Sequence, residues 1–114
     1  MLVKCQRIVW KVSWLLLNNM KEIRKTSQFK KDFKRFAKDV EKVKTLMSIV
    51  EKLERGEFIP DEFYPHPLKG EWKNYMECHI DDDYLLIWFD KEESIVRLVR
   101  LGSHSELFGK RKKR

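Results

Sequence analysis

The spacing of apolar residues changes period once along this chain, and that change dictates what it can fold into. Phe29, Phe33, Phe36 and Val40 recur at helical spacing, with Lys30, Lys31, Lys34, Arg35 and Lys38 on the other face. Asp39 can start a second helix, whose stripe of Val43, Leu46, Met47, Val50 and Leu53 runs to a stop at Gly56. From Glu71 the period is two. Trp72, Asn74, Met76, Cys78 and Ile80 point one way, and Lys73, Tyr75, Glu77 and His79 the other. A helix hides a stripe and a strand hides a face, so the stripes must lie on one side of a sheet. The other side is left to titratable groups.

The remaining elements follow from local chemistry. Glu22 to Thr26 reads as a short first strand, with Thr26 or Ser27 able to cap the first helix. All three prolines fall between Pro60 and Pro67, which marks residues 57–70 as an irregular loop. Asp81-Asp82 is a tight-turn candidate that returns the chain as the apolar strand 83–90 and brings Asp83 back beside His79. A third strand, Ser94 to Leu101, carries Arg97 and Arg100. Alternation puts those two on opposite faces unless a bulge intervenes. A short turn with Leu107 and Phe108 closes the domain.

All three histidines lie in this last third, each where an element begins or ends: His66 between two prolines, His79 before the turn, His104 after Gly102-Ser103. Imidazole is the one side chain that both gives and takes a proton near neutral pH, so three of them suggest a site, while surface or cap positions are the plainer reading. None of them, nor Asp83, has the short paired spacing of a zinc motif, so neither metal nor cofactor is expected.

At 114 residues the chain is one domain. The net charge of +7 is unevenly placed. The tail 110–114 carries +5 and Lys4, Arg7 and Lys11 carry +3, leaving residues 20–109 at −1. Residues 21–44 hold ten Lys/Arg against four Asp/Glu, and residues 51–93 five against thirteen. A polyanion could use the basic helix through Lys30 and Lys34, although a solvated lysine face is commoner. Cys5 and Cys78 suit a reducing cytoplasm better than a disulfide framework. The run V-S-W-L-L-L at 12–17 is too short to span a bilayer, so no membrane association is expected. Residues 1–19 read as an extension of uncertain status, 20–109 as the folded domain, and 110–114 as a basic tail. A chain beginning at Met20 should fold.

The order strand, two helices and antiparallel run resembles the RelE/ParE toxin superfamily. H-P-L-K-G-E-W, E-C-H-I-D-D-D-Y-L-L-I-W and R-L-G-S-H-S-E-L-F-G, in that order, are similar to the YafQ-type mRNA interferases. The resemblance implies an α+β RelE-like fold: a two-helix hairpin on a small, mainly antiparallel twisted sheet, with a short C-terminal helix or turn. It implies a cytoplasmic type II toxin that cuts mRNA in the A site of the 70S ribosome, near the 16S rRNA, and is silenced by a DinJ/RelB-like antitoxin. Carried over by position, the catalytic residues are His66, His79, Asp83 and His104, and Arg100 and Phe108 bind substrate. Glu77 stands where a member of the family has aspartate and Tyr84 where that member has tryptophan, so Glu77 is placed with the substrate-binding residues by its carboxylate.

Those side chains suit RNA cleavage without a metal. RNA supplies its own nucleophile, the 2′-hydroxyl. The enzyme needs a base for that proton, an acid for the leaving 5′-oxygen and a cation for the phosphate. The histidines and Asp83 can serve the first two needs and Arg100 the third. Which histidine plays which part stays open. The alternatives are a ParE-like toxin that binds a protein such as gyrase without catalysis, and a basic RNA-binding module.

Overall fold

The computed structural model describes residues 20–92 and 94–108. The expectations for residues 1–19 and for the tail lie outside them. A strand β1 (Glu22–Lys25) leads into helices α1 (Ser27–Phe36) and α2 (Val40–Arg55). A connector with two 3-10 turns, Asp61–Phe63 and Gly70–Trp72, contains the two-residue strand β2 (His66–Pro67). Strands β3 (Met76–Asp81), β4 (Tyr84–Glu92) and β5 (Ile95–Gly102) follow, then a single helical turn, α3 (His104–Leu107). The five strands form one sheet in the order β1-β5-β4-β3-β2. The β1–β5 pair is parallel and the other three pairs are antiparallel. This is the α+β hairpin-on-sheet architecture that the residue pattern implies.

The caps explain where the helices start and stop. Thr26 accepts a hydrogen bond from the Phe29 N–H at 3.0 Å and donates its own hydroxyl to the Val99 carbonyl at 2.9 Å, which fastens the head of α1 to β5. Asp39 caps α2 through the Lys42 N–H. Gly56 ends α2 at φ 74°, in the left-handed region that glycine enters without a side-chain clash.

α1 and α2 cover one sheet face. Phe29, Phe36, Leu46, Ile49 and Leu53 pack on Cys78, Ile80, Leu86, Trp88, Val96, Leu98 and Leu101 in one continuous core. Two residues of the expected stripes stand outside it. Val40 opens α2 and is 61% exposed, while Met47 is 55% exposed because Ile49 takes the inward position beside Leu46. The opposite sheet face carries a smaller cluster of Leu85, Ile87 and Leu107, with Leu68, Trp72, Tyr75, Val99 and Phe108 against it.

Three expectations about the strands are corrected. β3 starts at Met76 and not Glu71, because Gly70–Trp72 forms a 3-10 turn and Asn74 sits at φ 79°. Trp72 therefore leaves the helix-facing side and packs on the second cluster. His66 lies in an edge strand and not in irregular loop, paired with Glu77; the following Pro67 has no N–H to offer a further strand. Finally, the register between β4 and β5 slips at Ile87/Trp88, so that Arg97 pairs with Phe89 and Arg100 with Ile87. Phe89 and Ile87 are two apart on one strand, so this bulge puts both arginines on one face.

Candidate active site

The second sheet face is organised by register. His66, Glu77, Ile87 and Arg100 occupy one cross-strand line from β2 to β5, and His79, Leu85 and Gly102 occupy a second. Side chains in such lines project to the same side. The capping box of Ser103 and Glu106 starts α3 immediately after β5 and so presents His104 at the end of the second line. The three imidazoles, 38 residues apart in sequence from first to last, become successive neighbours. His66 and His79 have ring centroids 6.3 Å apart, and His79 and His104 6.1 Å.

Each ring has different company. Nδ1 of His66 is 2.8 Å from the Tyr64 carbonyl, an acceptor only, so Nδ1 carries a proton and donates it. Nε2 of the same ring lies 2.9 Å from Glu77 Oε1, and a proton must lie between them. His66 is thus held at both nitrogens. His79 receives no hydrogen bond at either nitrogen from a described residue. His104 faces Asp83, with Nδ1 at 3.6 Å and its backbone N–H at 3.5 Å from Oδ1. The partner of Asp83 is therefore His104, where the hairpin geometry suggests His79.

Arg100 is tied from behind. Asp32 on α1 accepts from Arg100 Nε at 2.9 Å and from the Leu101 N–H at 3.0 Å. β1 stops at Lys25, opposite Leu98, so beyond that point β5 would show a bare edge. Asp32 supplies the acceptor that a neighbouring strand would have offered there. Burial pushes the Asp32 carboxyl upward, but hydrogen bonds from Arg100, the Leu101 N–H and Gln28, with the charge of the guanidinium, outweigh it and hold the group below its ordinary value. No described residue accepts from Nη1 of Arg100, so that end of the fork is open.

Among the other expected residues, Phe108 flanks His104 at 6.1 Å between centroids and meets Trp72 edge-on. Glu77 is buried behind His66. Lys30 and Lys34 line a different cavity of about 560 Å³, with Ile23, Phe33 and Val50, between β1 and the helices. The fold does not bring them to the histidines. Burial, with Glu77 alongside, pushes the Cys78 thiol up to about 12, so it stays protonated and is no nucleophile. Among the described residues no group of three or more His, Cys, Asp or Glu could hold a metal ion. Two residues here carry no advance signal in the sequence: Asp32, hidden in a lysine-rich helix, and Tyr64, whose ring sits beside His66 and His79.

A helix hairpin on one face of a small, mainly antiparallel sheet is a fold this chain shares with bacterial toxins from type II toxin-antitoxin systems. The chain belongs to the YafQ family of such toxins, whose family model matches residues 21–109. It is 33% identical over 92 residues to the mRNA interferase toxin YafQ of Escherichia coli K12, covering 78% of this chain and 97% of that protein. A metal-bound toxin from Helicobacter pylori superposes with a TM-score of 0.71 at 40% identity, over 78% of this chain and all of that one. YafQ in the E. coli DinJ-YafQ complex gives 0.65 at 33% identity, over 78% and 99%. Among the described residues no helix is long and apolar enough to cross a membrane.

Proposed function

We propose that the protein is a ribosome-dependent endoribonuclease, an mRNA interferase that cuts mRNA in the A site of the 70S ribosome, close to the 16S rRNA. The observation that carries this reading is the unbroken run of His66, His79 and His104 along one sheet face, each ring about 6 Å from the next. A base removes the proton of the 2′-hydroxyl, the freed oxygen bonds to phosphorus, and the 5′-oxygen leaves with a proton from an acid. His79 and His104 are the pair for these transfers, because their Nε2 atoms have no partner among the described residues. Asp83, with Oδ1 3.6 Å from Nδ1, favours a proton on that side of His104 electrostatically and leaves Nε2 without a partner among the described residues. His66, fixed by Tyr64 and Glu77, serves as an anchored ring against the phosphate.

Arg100 stands in the same cross-strand line and turns its open Nη1 toward the charge that develops on the phosphoryl oxygens. The nucleophile comes with the substrate, so the cycle runs without a metal and yields a 2′,3′-cyclic phosphate or 3′-phosphate and a 5′-hydroxyl. A DinJ/RelB-like antitoxin neutralises the enzyme in the cytoplasm. The YafQ–DinJ pairing of a relative at 33% identity supports that partner.

The test is induced expression in bacteria of the wild type beside His104→Ala, reading growth and mRNA integrity. The alanine variant should lose about 10²–10⁴-fold in cleavage and fold normally, since His104 is exposed. A toxin that only grips a protein target, or a module that binds RNA through Lys30 and Lys34, would leave His104→Ala as toxic as the parent.

A further inference from the structure

Tyr64 is the residue of this face that neither the fold nor the proton transfers account for. It sits at φ 50° and ψ 57°, in the left-handed region, although it has a large side chain and precedes a proline, which favours extended backbone. Two hydrogen bonds hold it there. Its N–H donates to the Asp61 carbonyl at 2.8 Å, closing the 3-10 turn, and its carbonyl accepts from His66 Nδ1. Backbone strain of this kind persists where the surroundings impose it, and it clusters at working sites.

The ring gains little from burial, being 62% exposed and a member of neither core cluster. It lies instead 4.6 Å from the His66 ring and 5.6 Å from that of His79, between centroids. The ring lines a groove of about 550 Å³ together with Phe63, His79 and Ile80, and the exposed carboxylates of Glu62, Asp81 and Asp82 stand around it. Asp81 is 3.7 Å from Lys42 Nζ, while Glu62 and Asp82 add negative charge that repels a phosphate backbone, and all three carboxylates can accept hydrogen bonds from base amines. A flat, wet aromatic face beside the imidazoles, opening on an acidic groove, suits a base and not a phosphate.

We infer that Tyr64 is a stacking platform for one base of the single-stranded RNA substrate, next to the link that is cut. This subsite rests on the nuclease reading above. Its test uses the full chain on ribosomes programmed with mRNAs that carry an abasic residue at each of the three A-site positions in turn, reading the half-saturating protein concentration and the rate at saturation. Tyr64→Gly removes the ring while relaxing the backbone, since glycine accepts φ 50°, so the variant folds; Tyr64→Phe keeps the π face.

With intact mRNA, the glycine variant should raise the half-saturating concentration about 10- to 100-fold, and the phenylalanine variant should stay within about threefold of wild type. An abasic residue at one position should weaken the wild type by a similar factor and cost the glycine variant nothing further. Penalties that multiply with Tyr64→Gly at all three positions would overturn the subsite, as would a glycine variant that binds like wild type. A wild type that cuts no programmed mRNA would instead sink the nuclease reading, a different and earlier failure.

Discussion

Two carboxylates of this domain are buried to nearly the same depth, Asp32 in α1 at 2% exposure and Glu77 in β3 at 3%, yet they are served very differently. Asp32 has both oxygens occupied. Oδ2 takes Arg100 and the Leu101 N–H, and Oδ1 takes Gln28 and Arg35, each at 3.2 Å. Glu77 has one partner, the His66 ring, and its Oε2 meets no donor among the described residues. A buried charge with every lone pair answered closes a fold. A buried carboxylate answered once, by a half-buried ring, costs stability and adds none of that closure. The helix side of the molecule is thus complete in itself, while on the histidine side, under the proposed function, substrate completes the site.

The strongest way to break this contrast is Asp32→Ala. It strands the Leu101 N–H, frees Arg100 and opens a hole under α1, so it should cost about 3–5 kcal/mol in chemical denaturation. A loss below about 1 kcal/mol would mean that Asp32 is no keystone. Glu77→Gln probes the other half. The amide keeps the shape and ends the burial of a half-served charge, so stability should move by less than about 1 kcal/mol. Cleavage should fall by roughly tenfold as the His66 ring loses its charged support. If the order were reversed, with Glu77→Gln unfolding the domain and leaving cleavage intact, the two carboxylates would have been assigned backwards.

Legibility in the sequence divides along the same line. The helix side could be read directly, because stripes at Phe29, Phe36, Leu46 and Leu53 and caps at Asp39 and Gly56 are local signals. The membership of His66, His79 and His104 in one site could be read only from motif order; what joins them is strand register, which depends on residues far apart in sequence. Register is also why Arg97 and Arg100 share a face against strict alternation. Asp32 was invisible because nothing in S-Q-F-K-K-D-F-K-R-F distinguishes a buried aspartate from a solvated one. The difference is where β1 ends. Tyr64 was hidden by Pro65, whose presence argues for extended backbone at the residue before it.

Acid sharpens the comparison with the smallest effect. The folded-state value of Asp32 is depressed, so the stability it contributes is fully present above the ordinary aspartate range, near pH 4, and drains away as pH falls through the lower folded value. Glu22, Asp39 and Glu92 are depressed as well, by Arg24, the Lys42 N–H and Arg97 respectively, and their loss runs in the same direction. Those three pairs stand in water, where salt screens them, while Asp32 is walled in by α1 and β5. Denaturation midpoints followed from pH 5 to pH 2 should therefore decline in the wild type at both low and high salt. In Asp32→Asn the decline should be shallower at low salt and nearly flat at about 1 M salt, where screening reaches only about 3 Å. A wild-type decline that high salt abolishes would assign the acid sensitivity to the surface pairs, and Asp32 would then be a hydrogen-bond acceptor whose charge contributes nothing to the fold.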